Sequence, residues 1–371
     1  MTCSYDAVIL GAGIVGAACA LECASAGMRV AVIERDRVGS GATGAGMGHV
    51  VVMDDSAAQF ALTQYSQALW NDLAQELPAA VEYLRCGTIW VAADDEEMAE
   101  VRRKHASYSA RGLAVEVLDS QALAEAEPNL VRPLAGGLRV DSDAVLHPPR
   151  AADYFLEKAN RQTAGMDLLI GRSAVHAGNG RVALEDGSKI CAPVIVNATG
   201  AFAAALAPGI AIRKRKGHVI VTERCPGFVS HQLVELGYLK SANSATGDSV
   251  AFNVQPRITG QLLIGSSRQF DVEDDGIDME MVEAMMQRAM LYMPDIASLT
   301  TQHIRCGFRA ATPDKLPLIG PTDDPTMFLA TGHEGLGITT SLATARLLVD
   351  HVLGRPSAIS IGPYLPSRMT E

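Results

Sequence analysis

The sequence has no CxxC pair. Its seven cysteines, Cys3, Cys19, Cys23, Cys86, Cys191, Cys225 and Cys306, are dispersed without ligand-like spacing. That excludes a zinc knuckle or a disulfide framework and reads as a set of reduced thiols. A basic excess is also missing. Lys and Arg number 31 against 42 Asp and Glu, a formal net charge of −11, so non-specific nucleic-acid binding is not expected. The longest apolar stretch, Ala7 to Leu21, is broken by Gly11, Gly13 and Gly16 and is too short to span a bilayer. No repeat, low-complexity tract or long linker appears. With no basic leader ahead of the first apolar run, the expectation is a cytoplasmic protein, or one held at the inner face of the membrane through partners.

What is present is a chain of 371 residues, 48% hydrophobic and 20% charged, which suits two cooperating domains better than one core. Ala7-Val8-Ile9-Leu10 has the form of a buried parallel strand. Gly11-Ala12-Gly13-Ile14-Val15-Gly16 follows, then a helical run from Ala17 to Ala26 closed by Gly27, then a second strand from Arg29 to Ile33 ending at Glu34. In this pattern the first glycine permits a tight turn, the second admits a pyrophosphate, and the third allows close helix–strand packing. The helix start supplies N–H groups to phosphates, and Glu34 can accept ribose hydroxyls. A dinucleotide site is expected.

Three further segments bear on which dinucleotide. Glu34-Arg35 leads to the small-residue loop Gly39 to Gly48, in which Ser40, Ala42, Thr43, Gly46 and Met47 could lie against a flat ring. A hairpin from Arg181 to Cys191, turning at Asp186-Gly187, leads to Val194-Ile195-Val196-Asn197 and then Ala198-Thr199-Gly200. Near the end, Phe328 to Thr331 reads as a strand, Gly332-His333-Glu334-Gly335-Leu336-Gly337-Ile338 as a glycine-rich turn, and the segment up to about Leu353 as a helix stopped by Gly354 and Pro356.

With these pieces, and with Gly307-Phe308-Arg309 and Thr312-Pro313-Asp314, the sequence resembles the D-amino-acid oxidase and glycine/sarcosine oxidase family of FAD enzymes along essentially its whole length. The Gly332–Thr339 turn is most similar to the catalytic subunits of bacterial D-hydroxyproline dehydrogenase, proline dehydrogenase, opine oxidase and hydrogen cyanide synthase. The resemblance implies non-covalent FAD lying extended, with Val175 also among its contacts, and hydride transfer from substrate Cα to the flavin. It implies that Arg309 binds a substrate carboxylate, as a guanidinium fork does. Tyr238 is similar in placement to an active-site tyrosine, with core packing as the alternative. His49 could approach the ring face or be structural, and His333 and Glu334 could face the substrate or orient their loop. Cys306 lies near the covalent flavin attachment point of some sarcosine oxidases, but its spacing is off by one.

The implied fold is an α/β FAD-binding Rossmann-like domain, discontinuous over 1–84, 144–213 and 306–371. An α+β substrate domain with a mainly antiparallel sheet would occupy 85–143 and 214–305. His147-Pro148-Pro149 marks re-entry into the FAD domain, with Pro at a helix start. Thr88 to Ala92, His218 to Thr222 and a hairpin turning at Thr259-Gly260 would build the second sheet, and Met279 to Tyr292 reads as an amphipathic helix with methionine as core filler. Arg213-Lys214-Arg215-Lys216 reads as a solvated connection between domains. The sharper alternative, drawn from multi-subunit relatives, is an interface for another subunit or for a second flavin such as FMN. The expected activity is oxidation of a cyclic imino acid, D-hydroxyproline first, with electron-carrying partner subunits. An oxidase for glycine, sarcosine or a D-amino acid is the runner-up, and a non-catalytic flavoprotein subunit the reading from another class.

Overall fold

A computed structural model describes residues 5–162, 164–237 and 247–369. Its first half is organised by a six-stranded sheet in the spatial order Leu318–Pro321, Met327–Thr331, Val194–Asn197, Ala7–Leu10, Val30–Glu34, Met166–Ile170. All neighbours are parallel except the Leu318–Pro321 edge pair. The central strand Ala7–Leu10 is apolar at every position because both faces are covered. Ala7 and Ile9 point to the helices Ile14–Ser25, Pro148–Asn160 and Gly337–Val352. Val8 and Leu10 point to the small antiparallel sheet Ala174–Gly178, Arg181–Leu184, Lys189–Cys191. The Pro148–Asn160 helix starts as its sequence suggests, with Pro in the first turn and the His147 side chain accepting from the Arg150 amide at 3.3 Å.

Gly16 decides how tightly the first helix sits. A Cβ there would come within 2.0 Å of the Gly11 carbonyl oxygen, and Gly11 itself has φ +97°. No other residue type permits both the turn and the approach.

The second sheet has eight strands, ordered Thr301–Ala311, Arg213–Arg224, Gln261–Phe270, Ser249–Pro256, Gln232–Glu235, Thr88–Ala92, Gly136–Val140, Val115–Asp119. One neighbouring pair, Gln232–Glu235 with Thr88–Ala92, is parallel and the rest are antiparallel. The helix Met279–Tyr292 packs on one face through Val282, Met285, Ala289 and Tyr292, while Met279 is 61% exposed and fills nothing.

Two sequence expectations change here. The boundary at 306 falls inside the strand Thr301–Ala311, which stays paired with Arg213–Arg224 up to Ala311. Gly307 and Arg309 therefore ride on the second sheet. The strand ends just before Pro313, which has no N–H to continue a ladder. The run Arg213 to Lys216 is the opening of a strand; Arg213 remains exposed, but Arg215 and Lys216 are not solvated. Arg215 is 8% and Lys216 2% exposed. Each cation meets a carboxylate: Arg213 with Asp271 at 2.6 Å, Lys216 with Asp274 at 3.1 Å, Lys214 with Glu273, and Arg215 with Glu334. Pairing is what makes the burial of such charges tolerable. Among the described residues no helix is long and apolar enough to cross a membrane.

Candidate active site

A cavity of about 770 Å³ is walled by both sheets. At its first end Gly11, Gly13, Ile14 and Val15 meet Glu34, Arg35 and the turn Ala198-Thr199-Gly200. The helix Ile14–Ser25 begins at Gly13 with no cap from the Gly13 position itself, so its N–H groups beyond Ile14 and its positive dipole end are available to an anion. The Ile14 amide leans on Thr43 Oγ1 at 3.0 Å, which ties the small-residue loop to the turn. Glu34 is 8% exposed; its Oε2 accepts from the Ala12 amide at 2.7 Å and its Oε1 from the Asp36 amide at 2.8 Å. Each carboxylate oxygen keeps further acceptor capacity for a ribose hydroxyl.

The middle of the cavity is lined by Ser40, Ala42, Thr43, Gly46 and Met47 on one side and Gly307 on the other. A Cβ on Gly307 would lie 2.7 Å from Ala45 Cβ, and one on Gly46 3.0 Å from Ile338 Cδ1. The missing side chains let the loop pack directly against the strand Thr301–Ala311 and against Ile338. A pyrophosphate cradle at a helix start and an acid at the adjacent strand end fit an extended dinucleotide.

Gly335, Leu336, Gly337 and Ile338 bring the start of the helix Gly337–Val352 to the same wall, with the Gly337 Cβ position 3.8 Å from Val15 Cγ2. His49 Nε2 lies 3.2 Å from the Gly335 carbonyl oxygen. A carbonyl only accepts, so the ring proton sits on Nε2 and leaves Nδ1 as a buried acceptor with no partner among the described residues. Burial pushes the His49 pKa down to about 4; the Gly335 bond opposes this and the Arg309 charge adds to it. An orphaned acceptor at this point suits a bound ring N–H or a substrate ammonium.

His333 is turned to the last helix, with Nε2 2.9 Å from Thr344 Oγ1, and burial lowers its pKa to about 3. Glu334, at φ +53°, donates its amide to Ala310 O at 2.9 Å and spends its carboxylate on Arg215. Both residues line the cavity, and both are held by the protein.

Arg309 projects across its own sheet. Its Nη1 donates to Ser267 O at 3.0 Å, and a Cβ at Gly217 would sit 2.3 Å from that nitrogen. Gly217 is thus the gap through which the guanidinium lies flat, beside Gly335 and His49. The fork is pre-oriented for a carboxylate.

Some expected residues lie elsewhere. Gly16 packs beneath the cradle, Gly332 (φ +79°) backs onto Thr312, and the cavity wall stops at Ala174, leaving Val175 57% exposed beyond it. Tyr238 lies outside the described residues. Cys306 reaches the wall but donates to Asp275 O at 2.8 Å.

Sequence reasoning missed three wall residues, Trp90, Gln232 and Asn253, on three adjacent strands of the second sheet. Each carries a buried polar atom with no partner among the described residues: Trp90 Nε1, Gln232 Oε1 and Asn253 Oδ1. Left so, each costs about 1–3 kcal/mol. Only the strand pairing brings them together, and no sequence spacing announces it.

The profile of the family described as DAO, FAD dependent oxidoreductase, matches residues 6–351. The chain is 28% identical to hydrogen cyanide synthase subunit HcnC of Pseudomonas aeruginosa, over 99% of this chain and 97% of that protein. It is 27% identical to glycine oxidase of Geobacillus kaustophilus, over 99% and 98%. The crystal structure of the G. kaustophilus glycine oxidase superposes with a TM-score of 0.88 over 99% of each chain. L-proline dehydrogenase from P. horikoshii, at 21% identity and a TM-score of 0.86 over 100% of this chain and 99% of that one, shares the fold.

Proposed function

The chain belongs to the DAO family of FAD-dependent oxidoreductases, and from that premise we propose that it oxidises the Cα–N bond of a small amino or imino acid. The observation that carries this reading is Arg309, whose guanidinium lies over Gly217 on the cavity wall. The flavin, when bound, supplies the hydride acceptor. The chain's own work is positioning. Arg309 would hold the carboxylate through a bidentate fork and so fix the direction of the Cα–H bond. The uncapped start of Gly337–Val352 would favour negative charge at the ring edge. His49, neutral at working pH, would accept a hydrogen bond at Nδ1 without adding a cation beside Arg309.

Within this chemistry we place a cyclic imino acid first, D-hydroxyproline above others, oxidised by a catalytic subunit that passes electrons to partners. The likeness to a synthase subunit, HcnC, supports a chain that works within an assembly. A second reading, a self-sufficient oxidase that reduces O2 to peroxide, is favoured by the likeness to glycine oxidase. Anaerobic flavin bleaching by both enantiomers of proline and 4-hydroxyproline, glycine, sarcosine, an opine and D-alanine tests both. Rapid bleaching by a ring compound with slow recovery in air supports the dehydrogenase. Bleaching by an acyclic amine with fast recovery makes the chain an oxidase, and no bleaching by any of them sinks the assignment.

A further inference from the structure

The second sheet brings its polar orphans into one row. Val234 pairs with Trp90 on one side and with Asn253 on the other, and Gln232 lies two residues before Val234, hence on the same face of the sheet. All four residues line the cavity. Trp90, Gln232 and Asn253 are 3%, 3% and 7% exposed. The Trp90 ring is also fixed from behind, because the buried Lys104 ammonium lies 5.3 Å from its centroid and is itself paired with Asp54. A rigid, buried wall with polar atoms facing no protein partner calls for something else to meet them.

The strand order places this row relative to Arg309. The guanidinium crosses the strand Arg213–Arg224 at Gly217 and reaches Ser267 on Gln261–Phe270. Asn253 is on the next strand, opposite Gly265, two residues along Gln261–Phe270 from Ser267. Gln232 and Trp90 follow on the two after that. A small molecule anchored by its carboxylate at Arg309 would direct its side chain along this row. The row supplies one obligate donor, the indole N–H, together with carboxamides that accept or donate. A hydroxyl matches that set, since it donates once and accepts as well.

We propose that Trp90, Gln232 and Asn253 form a distal polar subsite that selects substrates bearing a hydroxyl group beyond Cα. The inference deepens the reading of an amino- or imino-acid oxidoreductase and rests on it for the position of the carboxylate. Trp90 supplies a hydrogen to the hydroxyl oxygen, and Gln232 or Asn253 takes the hydroxyl hydrogen. The alternative occupant is a set of ordered waters that any substrate shares equally.

The test uses the FAD-loaded full chain and matched pairs in both enantiomers: 4-hydroxyproline against proline, and serine against alanine. The wild type is expected to favour the hydroxylated member of at least one pair by about tenfold or more in kcat/KM. Asn253→Leu and Gln232→Leu should bring that ratio close to one by raising KM for the hydroxylated member more than for its partner. Trp90→Phe keeps the ring and its contact with Lys104, so it should lower the ratio without loss of flavin. No preference in any pair, or a preference that survives all three substitutions, overturns the subsite. If no compound reduces the flavin, the activity reading fails separately, and binding decides the subsite. Titration by flavin absorbance with 4-hydroxybutyrate and butyrate should then show tighter binding of the former in wild type and equal binding in Asn253→Leu. Equal affinities in wild type would overturn it.

Discussion

The two sheets of this molecule wall the cavity by different means. The cradle of the parallel sheet is made chiefly of backbone, glycines at 11, 13 and 16 and an uncapped helix start, with the Glu34 side chain bracing the turn through the amides of Ala12 and Asp36. The wall of the antiparallel sheet is made of side chains, Arg309, Trp90, Gln232 and Asn253, drawn from strands separated by up to 219 positions between Trp90 and Arg309. A backbone site tolerates little variation in shape, because every amide is fixed by the ladder or helix around it. A side-chain site can be rewritten one residue at a time without disturbing the fold. On the function proposed above, the first half would keep one cofactor and the second would choose among substrates.

The largest test of that contrast is Gly16→Val. With the Gly11 carbonyl 2.0 Å from the new Cβ, helix and strand must separate, and the cradle with them. The purified variant should carry almost no flavin absorbance, and any remaining protein should melt well below wild type. Gly27→Ala is the control. Gly27 has a positive φ of +86°, but nothing lies within 4 Å of its Cβ position, so the change should cost about 1 kcal/mol of stability and leave flavin content unchanged. Equal flavin loss in both would mean that general stability, not the close approach, holds the cofactor.

Arg309→Met probes the other half. It should keep a full flavin spectrum while kcat/KM falls by about 100-fold, or about 2.7 kcal/mol. Arg309→Lys should recover only part of this, because an ammonium keeps the charge but loses the planar fork. Flavin loss in Arg309→Met would break the division of labour, since it would place this side chain in the cofactor's support.

The same contrast explains what the sequence made legible. The first strand, the glycine turn and the helix Met279–Tyr292 were readable because each is encoded within a short window: a run of Ala7 to Leu10, a fixed glycine spacing, a helical period. The row Trp90–Val234–Asn253 has no such window, as it exists only once three strands pair. The basic run at Arg213 to Lys216 misled for a related reason. Four adjacent cations read as solvated until Asp271, Glu273, Asp274 and Glu334 are brought to them by folding. The boundary at 306 erred because hydrogen bonding carries the strand on to Ala311, and no residue before Pro313 interrupts it.

His333 gives the smallest test, and it asks whether the turn at the seam of the two halves is scaffold or machinery. Burial holds its folded pKa near 3, against about 6.5 in the unfolded chain. Below pH 6.5 the unfolded chain takes up a proton that the folded one does not, so His333 stabilises above that pH and loses its contribution as pH falls. Between pH 7 and 5 the loss should be about 2 kcal/mol. His49, lowered to about 4, acts in the same sense, whereas Asp143, raised by burial to about 7, acts in the opposite one. Both are retained in His333→Gln, so they cancel when that variant is compared with wild type. Denaturant titrations at pH 7 and pH 5 should show the stability gap between the two proteins shrinking by about 2 kcal/mol at the lower pH. The pH profile of kcat/KM should keep its shape, since a neutral ring bonded to Thr344 has no proton to exchange with substrate. Loss of an ionisation from that profile would make His333 a participant in turnover and move the boundary between the two halves into the Gly332–Thr339 turn.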